Sequence, residues 1–442
     1  MPTSACCDTW WHTDMAVACL DINDSNLQLW HGDKRLQSPG YALLEGGRYR
    51  FGSDARAAAR LRPREVSTRY WWQLSTDPLQ PALGPARHSA DLVHAHLLDL
   101  HSAAGSPGEL LLAAPGSMHK EQLALLLGII QQCPFDAVGL VNRSVALASL
   151  HAVDGPLFHL EIQLHQALLS ELRAENGTVT FQRTTALPAS GLLQLQERVV
   201  EAAATAFIRQ TRFDPRRRAD TEQQLYDALP TVLQQLQQSN ETSLTVNGYH
   251  ARIARADLEA ASTTLAGSVS NALGQPGVTL LLDPLAALLP GLRERLAGTL
   301  LQATDLPRAL AAHEALLVQR AEALVFVNSL PQLGGQRTSD TESAAPTPAA
   351  GVATAQPALP QPTHLLQGSR ARPLLTDGTS LGGGWSLLQG ENGAWRLHAA
   401  RGAGALERNG QTARDSEVVA SGDRLRLPDG TDALLILVST QA

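Results

Sequence analysis

The chain has 442 residues, of which 44% are hydrophobic and 17% are charged, a composition typical of a folded protein rather than a disordered one. This length favours two or three domains over a single core. The formal net charge of −7 excludes the basic surface of a general nucleic-acid-binding protein, so we expect no nucleic-acid partner.

Cysteine usage and hydropathy predict where the protein works. The chain has four cysteines and no disulfide framework: Cys6, Cys7, Cys19 and Cys133. Free thiols of this kind are typical of a reducing cytoplasm. Cys6 and Cys7 stand near His12, but their spacing matches no zinc pattern, so we interpret residues 1–14 as a tail and predict no metal site. Because no apolar run is long enough to cross a bilayer and no leader is recognisable, we expect a cytoplasmic protein without membrane insertion.

The first predicted element is a buried strand within residues 16–25, which runs into a turn with Asp21 at its mouth. A second strand of the same kind, within residues 157–165, carries Glu161 after its apolar run. In nucleotide-binding folds such strand ends carry glycines, because only a backbone without side chains lets its N–H groups close on a phosphate. Both turns lack glycine in this chain.

Strands and helices alternate through the rest of the first three-quarters of the chain. Strands are predicted at 109–114, 137–141, 278–282 and 323–327, and helices at 120–132, 144–150, 192–210, 221–238 and 288–301. This rhythm predicts a mostly parallel sheet covered by helices.

A change of composition divides the chain. Residues 332–363 are rich in Pro, Ala, Thr, Gln and Ser and lack apolar periodicity, which is typical of a flexible linker. The last segment, 364–442, has short alternating runs between Gly- and Asp-rich turns, which predicts a β-sandwich. Its runs are 385–388, 394–397, 423–427 and 433–438.

Four segments of the α/β part resemble, in the same order, motifs of the actin-fold ATPase superfamily, and specifically the heat-shock-seventy (DnaK-like) chaperone ATPase domain. They are 112–122 ("VP…F…Q"), 139–148 ("LINEPTAAAL"), 253–259 ("ITRAEFE") and 278–292 ("VLVGGSSRIPGV"). The resemblance implies a two-lobed fold of ribonuclease H-like repeats over residues 15–331. Lobe I would cover about 15–155 and lobe II about 156–331, and the cleft would hold ATP or ADP with Mg²⁺.

The two phosphate loops depart from the family pattern. In the first loop Asp21 is kept and Ser25 supplies a hydroxyl, but Asn23 stands at the glycine position. In the second loop Glu161 is followed by Gln163 instead of a run of glycines. Side chains at these positions would occupy the space of the β- and γ-phosphates.

Three further positions of the family pattern are also changed. The acidic residue that helps to position the attacking water in the family falls at Arg143. The glycine pair of the adenosine motif is replaced by Asp283 and Pro284, and proline fixes φ and removes a donor. The adenine-facing helix normally offers a Glu and a Lys, whereas residues 233–238 offer only glutamines as polar groups.

Phosphoryl transfer needs backbone donors, a carboxylate-held metal and a base that positions water. Five changed motifs therefore predict a pseudo-ATPase without catalytic residues. Its vestigial nucleotide cleft comprises Asp21, Asn23, Ser25, Glu161, Gln163 and Asp283, and we expect Asn23, Gln163, His165 and Pro284 to crowd it. Weak nucleotide binding without turnover stays open, with Asp21 and Glu161 holding a hydrated Mg²⁺. The alternative function is an ATP-binding chaperone-type ATPase with a remodelled cleft.

The last segment resembles a forkhead-associated (FHA) sandwich. The matching segments are 379–384, 409–411 and 421–427. FHA domains bind phosphothreonine through an Arg, a Ser and an Asn on their loops, but Gly383 stands at the Arg position here. Arg396, Arg408 and Asn409 are the candidates for a substitute phosphopeptide site, and the competing interpretation is that the arginines are simply solvated. A chaperone substrate sandwich is a further alternative, against which the Pro/Ala tract speaks.

Two aromatic groups, Trp10-Trp11 and Tyr70-Trp71-Trp72, stand out in a chain with 4% aromatic residues. Because large aromatic side chains usually fill cores, we interpret Trp71 and Trp72 as a partly buried anchor of lobe I. The alternative is a ligand surface formed with the arginines of 60–69.

The sequence thus predicts a cytoplasmic, DnaK-like pseudo-ATPase that binds proteins as a scaffold or adaptor and carries an FHA-like module. No cofactor belongs to this hypothesis, whereas the ATPase alternative uses ATP or ADP with Mg²⁺. The linker would let the small module search for a second protein partner.

Overall fold

The computed structural model describes residues 17–187, 189–274, 277–321, 324–333, 362–367, 370–375, 378–390, 394–400, 402–409, 411–419 and 423–436. The predicted tail, 1–14, and nearly all of the predicted linker, 332–363, lie outside the described residues. The fold is mixed α/β with several sheets, and the chain divides into two compact units, Met1–Ser339 and Asp340–Ala442.

The first unit contains all the described helices. Its strands are β1 (Ala18–Asp21), β2 (Leu27–His31), β3 (Lys34–Ser38), β4 (Ala42–Glu45), β5 (Arg48–Phe51), β6 (Val66–Ser67), β7 (Pro78–Leu83), β8 (Ala86–His88), β9 (Glu109–Ala114), β10 (Asp136–Asn142), β11 (Gly155–Ile162), β12 (Ala167–Glu175), β13 (Thr178–Leu187), β14 (Glu241–Val246), β15 (Tyr249–Ala254), β16 (Thr279–Leu282), β17 (Thr299–Leu300), β18 (Phe326–Val327) and β19 (Ser329–Pro331). Its helices are α1 (Gly52–Ala57), α2 (Ser89–Ala103), α3 (Lys120–Ile130), α4 (Arg143–Ala148), α5 (Leu192–Thr211), α6 (Ala219–Gln238), α7 (Arg255–Leu258), α8 (Ala260–Leu273), α9 (Pro284–Leu288), α10 (Leu292–Leu296), α11 (Asp305–Ala312) and α12 (Glu314–Leu317).

Two six-stranded sheets with the same kind of strand order form the framework of this unit. The first has the order β18-β10-β9-β1-β2-β3, in which β1 to β3 are antiparallel and β9, β10 and β18 run parallel to β1. The second has the order β17-β16-β11-β12-β13-β19, in which β11 to β13 are antiparallel and β16 and β17 run parallel to β11. In each sheet, therefore, the parallel strands end at the same edge as the first strand of an antiparallel meander.

The apolar run of β1 is continuous because both faces of its sheet are buried, as is typical of parallel strands. Ala18 and Leu20 lie in a core that includes side chains of α2 and α3. Cys19 lies in a second core together with Leu157 and Leu281 of the other sheet. The two sheets are thus joined through a shared apolar layer.

One predicted helix is wrong. The structure has α9, α10 and β17 where the sequence predicted a single helix over 288–301. Gly291 has φ +75°, which a helix interior does not adopt, and Ala297 ends α10 with φ +49°. The Pro290-Gly291 pair is a strong turn signal, and it outweighs the apolar periodicity on either side. The last predicted strand, 323–327, is shorter than expected, because β18 covers only Phe326–Val327.

The start of α5 packs against the turn between β11 and β12 without room for a side chain. A Cβ on Gly191 would lie 2.3 Å from the carbonyl carbon of His165 and 2.5 Å from the backbone nitrogen of Gln166.

We expect Gly191→Ala to destabilise the protein by about 1–3 kcal/mol in urea denaturation, because backbone atoms must move. Gly267→Ala, within α8, is the matched control, since nothing lies within 4 Å of its added Cβ. The control should be neutral or stabilising by up to about 1 kcal/mol, and equal losses in both variants would contradict this packing.

The second unit is built from two antiparallel sheets. Its strands are β20 (His364–Gln367), β21 (Arg370–Pro373), β22 (Thr379–Gly382), β23 (Trp385–Gln389), β24 (Trp395–Ala399), β25 (Glu407–Arg408), β26 (Gln411–Thr412), β27 (Val418–Val419), β28 (Arg424–Arg426) and β29 (Asp432–Ile436). The sheets have the orders β21-β20-β29-β28-β25-β26 and β22-β23-β24-β27. Trp385 and Leu397 of one sheet share a core with Leu425 and Leu435 of the other, so the sheets pack face to face.

Candidate functional site

The strand ends bring together three carboxylates that the sequence assigned to the cleft. Asp21 is the last residue of β1, Glu161 lies one residue before the end of β11, and Asp283 follows β16 directly. Arg143 comes from the end of β10, which is separated from β1 by β9: it follows Asn142, the last residue of β10, and begins α4. The Asn142 side chain caps that helix by accepting hydrogen bonds from its first backbone N–H groups, which fixes the position of Arg143.

The Arg143 guanidinium binds all three carboxylates. Its Nε donates to Asp21 Oδ1 at 2.7 Å, and its Nη2 lies 3.3 Å from Asp21 Oδ2. Its Nη1 donates to both carboxylate oxygens of Asp283, at 3.1 and 3.0 Å, and lies 3.4 Å from Glu161 Oε2. The Arg143 side chain is only 6% exposed. We call these four residues the Arg143 network.

The hydrogen-bonded pair of Ser144 and His159 also holds Asp283. His159 Nε2 lies 3.1 Å from Asp283 Oδ1, and His159 Nδ1 lies 2.9 Å from Ser144 Oγ. This order of Ser, His and Asp is that of a catalytic triad, but Ser144 and His159 are both fully buried. A nucleophile without access to substrate attacks nothing, so the pair orients Asp283 within the Arg143 network.

Burial and the charge of Arg143 shift the pKa values of the three carboxyl groups in opposite directions. Burial raises the pKa of Glu161 to about 7 and also raises the pKa of Asp21, in both cases against the attraction of Arg143. Burial opposes ionisation of Asp283 as well, but Arg143 and His159 outweigh it and hold the Asp283 pKa at about 2. The three carboxylates in turn keep the pKa of Arg143 well above its usual value despite burial. Arg143 and Asp283 are therefore the firmly charged pair, and Glu161 takes up a proton near neutral pH.

Two of the predicted cleft residues, Asn23 and Gln163, lie in the turns that follow β1 and β11, and their side chains form hydrogen bonds within the protein. We call residues 22–26 the first turn and residues 163–166 the second turn. Asn23 Nδ2 donates to Ile162 O at 3.4 Å, and Asn23 Oδ1 accepts hydrogen bonds from the backbone N–H and the hydroxyl of Ser25. Gln163 Nε2 donates to Glu161 Oε1 at 2.7 Å. The Ser25 hydroxyl and the Gln163 amide are thus engaged by the protein itself.

The expectation that His165 crowds this site is wrong. Its Nε2 lies 3.0 Å from Thr68 Oγ1, and its ring stacks on Trp72 with a centroid distance of 5.1 Å. The second turn carries His165 to the Trp72 side because a flat aromatic ring is available there for stacking. Pro284 does border the site, as the first residue of α9, where its missing N–H leaves no hydrogen bond unmade.

Two separate cavities flank the turns. The first has a volume of about 300 Å³ and is lined by Asp21, Arg143, Asp283 and Pro284 among others. The second has a volume of about 310 Å³ and is lined by residues that include Asp24 and Trp72. Of the predicted tryptophan anchor, Trp71 is buried, whereas Trp72 is 36% exposed.

Sequence reasoning missed the part that Arg143 plays, since it recorded this position only as the loss of an acidic residue. It also missed His159 and Asp24. The available signal was a polar side chain inside an otherwise apolar strand. His159 and Glu161 interrupt the apolar run of β11, and the residues on either side of them are buried. Because buried polar groups are almost always hydrogen-bonded, such interruptions indicate an internal polar network.

In the second unit the candidate arginine is already ion-paired. Arg408 donates through Nε to Asp423 Oδ2 at 2.9 Å and through Nη1 to Glu417 Oε1 at 2.7 Å. Asn409 Nδ2 donates to Asp423 Oδ1, and Asn409 Oδ1 accepts from the backbone of Arg424. The side chains of Arg408 and Asn409 thus hold the β25–β28 corner together.

We expect phosphothreonine peptides not to bind the full chain in fluorescence anisotropy. A phosphate on Arg408 would have to displace two carboxylates, and one nitrogen of Arg396, Nη1, donates to the carbonyl of Ser416. Saturable binding that requires the phosphate group and is lost in Arg408→Ala would contradict this expectation. The same peptides without phosphate serve as the control.

Comparison with known proteins assigns no family to this chain. No protein-family model matches it, and no curated protein matches its sequence. Among the described residues, no group of three or more His, Cys, Asp or Glu side chains is arranged to hold a metal ion. Within the same part of the chain, no helix has the length and apolar character needed to cross a membrane.

Proposed function

We propose that this protein is a DnaK-like pseudo-ATPase with a two-lobed, actin-like fold, and that it works as a non-catalytic scaffold for protein partners. The observation that carries the proposal is the Arg143 guanidinium, which is bound by Asp21, Glu161 and Asp283 where the parallel strands end. Ligands of open α/β sheets bind at such strand ends. In this chain that position holds an internal cation.

The repeated strand order supports the fold part of the proposal. Two related repeats would produce two sheets of the same order, and the two six-stranded sheets of the first unit fall within the residues expected for lobe I and lobe II, apart from the late strand β18. The two facing antiparallel sheets of the second unit support the FHA-like part in the same way.

The Arg143 network works against phosphoryl transfer. Mg²⁺ is normally held by carboxylates while it neutralises the phosphates, but here Asp21 and Asp283 are already ion-paired with Arg143 and accept its hydrogen bonds. A guanidinium cannot be deprotonated in a protein, so an incoming metal would have to expel it as a buried cation. Breaking a buried ion pair costs about 3–5 kcal/mol, which corresponds to roughly two to four orders of magnitude in nucleotide affinity.

For a pseudo-ATPase domain of this kind, the proposed function is protein binding. The Pro/Ala-rich tract within 332–363 joins the first unit to a second one, and two binding modules on one chain raise the effective concentration of the second partner. Scaffolding of this kind requires no turnover, and it is consistent with a cleft whose polar groups are satisfied internally.

The cavity of about 300 Å³ beside the network favours one alternative, an ATP-binding chaperone-type ATPase with a remodelled cleft. This volume is at the lower end of the range of ligand pockets, about 300–1,000 Å³. In that alternative the nucleotide would occupy the cavity next to Asp21 and Asp283.

Thermal unfolding with and without Mg-ATP distinguishes the two. A ligand that binds only the native state stabilises it by about 2.7 kcal/mol at a hundredfold excess over its Kd. We expect no change in Tm on adding Mg-ATP and no release of phosphate. A rise in Tm that requires both ATP and Mg²⁺ would overturn the pseudo-ATPase proposal, and addition of ATP with a chelator is the control.

A further inference from the structure

A groove with a volume of about 830 Å³ is lined by residues of two short strands, β6 and β7. Every residue of 66–70 and every residue of 77–81 borders it. Successive side chains of an extended chain point to opposite faces, so a cavity that touches Val66, Ser67 and Thr68 alike runs along the edge of β6. We call this space the β6 groove.

The edge of β6 along the groove carries unpaired backbone groups. The sheet order is β5-β4-β6, so β4 covers one edge of β6 and the groove lies at the other. Leu44 N–H donates to Glu65 O at 2.9 Å, so these two residues form a hydrogen-bonded pair. Leu43 and Val66 are the next pair, which is therefore non-hydrogen-bonded, and its N–H and C=O groups point away from the partner strand. Those of Val66 point toward the groove, and no described residue bonds to them.

The opposite wall of the groove offers fewer donors. Pro78 and Pro81 of β7 have no N–H, and proline on an edge strand is a common obstacle to pairing. A strand that enters the groove therefore finds its hydrogen-bonding partners at β6.

The side chains of the groove combine positive charge with an apolar lining. The charged lining residues are Arg64, Arg69 and Asp77, so the lining carries a net positive charge. Within the described part of the chain, neither arginine forms a salt bridge. Tyr70 and Leu74 also line the groove, and both are buried. A segment that carries a carboxylate among apolar side chains matches this lining.

We propose that the β6 groove binds an extended segment of a protein partner, which pairs with the free edge of β6 as an added strand and directs an acidic side chain to Arg64 and Arg69. In such strand addition the main-chain hydrogen bonds supply affinity and the side chains supply specificity. The inference rests on the protein-binding function proposed above and names a class of partner for it. It does not depend on the Arg143 network, so binding of Mg-ATP would overturn the pseudo-ATPase proposal and leave this one intact.

A phage-displayed library of random dodecapeptides, selected on the full chain, supplies the probes for the test. We expect the enriched sequences to carry Asp or Glu among apolar residues. The most enriched peptide, labelled with fluorescein, is then titrated with the full chain in fluorescence anisotropy. A selection that yields no peptide with saturable binding would overturn the proposal.

Methylation of single backbone nitrogens of that peptide tests for strand pairing. The N–H groups of an added strand point alternately toward β6 and away from it. We expect affinity to fall roughly tenfold at alternate positions, because each such methyl group removes a hydrogen bond and intrudes on the pair. Equal affinity for all the methylated peptides would show that the peptide does not bind as a strand, and the proposal would be wrong.

Charge reversal assigns the peptide to this groove. The double variant Arg64→Glu, Arg69→Glu should weaken binding by roughly tenfold. Arg48→Glu is the matched control, because Arg48 is an exposed arginine of β5 that does not line the groove, and it should leave the affinity unchanged. Undiminished binding in the double variant, or an equal loss in the control, would overturn the proposal.

Discussion

Arg143→Ala is expected to lower the free energy of unfolding by about 3–5 kcal/mol at pH 7. The substitution leaves Asp21, Glu161 and Asp283 buried around an empty space, without the cation that all three contact. Removing one partner of a buried ion pair costs more than the pair contributes, because the remaining charge has lost its water. Arg143→Lys keeps the charge but not the planar fork, so its loss should be intermediate.

Urea denaturation followed by the circular dichroism of the helices measures this loss. The signal reports on the first unit, which contains Arg143, because all the described helices belong to that unit. Arg183→Ala is the matched control. Arg183 also pairs with a carboxylate, that of Glu171, but its side chain is 74% exposed. Exposed pairs contribute about 0–1 kcal/mol, so a loss in Arg143→Ala no larger than in this control would contradict the buried network.

The deficit of Arg143→Ala should shrink in acid. Arg143 and His159 hold the pKa of Asp283 at about 2, below its ordinary value of 3.8. The stability that an ionised carboxylate contributes in this way is present above the ordinary pKa and is lost as the pH falls through the lowered one. Wild type and Arg143→Ala should therefore converge as the pH falls from about 4 towards 2.

Asp24→Asn is expected to raise the free energy of unfolding by about 3 kcal/mol at pH 8 and to leave it nearly unchanged at pH 5. Burial raises the pKa of Asp24 from 3.8 to about 7. The folded protein therefore keeps a proton that the unfolded chain has released, and wild-type stability falls as the pH rises from about 4 to about 7. Three pKa units correspond to about 4 kcal/mol, from which about 1 kcal/mol is subtracted for the unpaired amide of asparagine.

The measurement is urea denaturation of both proteins at pH 5 and pH 8, with Asp154→Asn as the exposed control. A gain of the same size at both pH values would show that the substitution acts through packing instead of through ionisation. No gain at pH 8 would show that the Asp24 carboxylate is ionised without difficulty where it lies.

The parts of the site that the sequence could predict are those that depend on local patterns. Asp21 and Glu161 each follow an apolar run, so the pattern places each carboxylate at the end of a buried strand, although the two strands belong to different sheets. The helices α5 and α6 were predicted nearly in full because their apolar stripes run without a turn signal. The wrong helix over 288–301 was avoidable, since the Pro290-Gly291 signal was present.

The Arg143 network depends on contacts that no local pattern specifies. Arg143 lies 122 residues from Asp21 and 140 residues from Asp283 along the chain. Their pairing requires the strand order of two sheets and the position of one sheet on the other. The orientation of the His165 side chain could not be predicted either, because it depends on stacking with Trp72, which lies far from the second turn along the chain.

Calorimetric titration of the full chain with Mg-ATP tests most directly whether an internal cation has replaced the nucleotide. If Arg143 fills the place between the three carboxylates, the titration gives no saturable heat. Saturable one-to-one binding that is weakened by Asp21→Asn and by Asp283→Asn would show that nucleotide enters at the network, and the pseudo-ATPase proposal would be wrong.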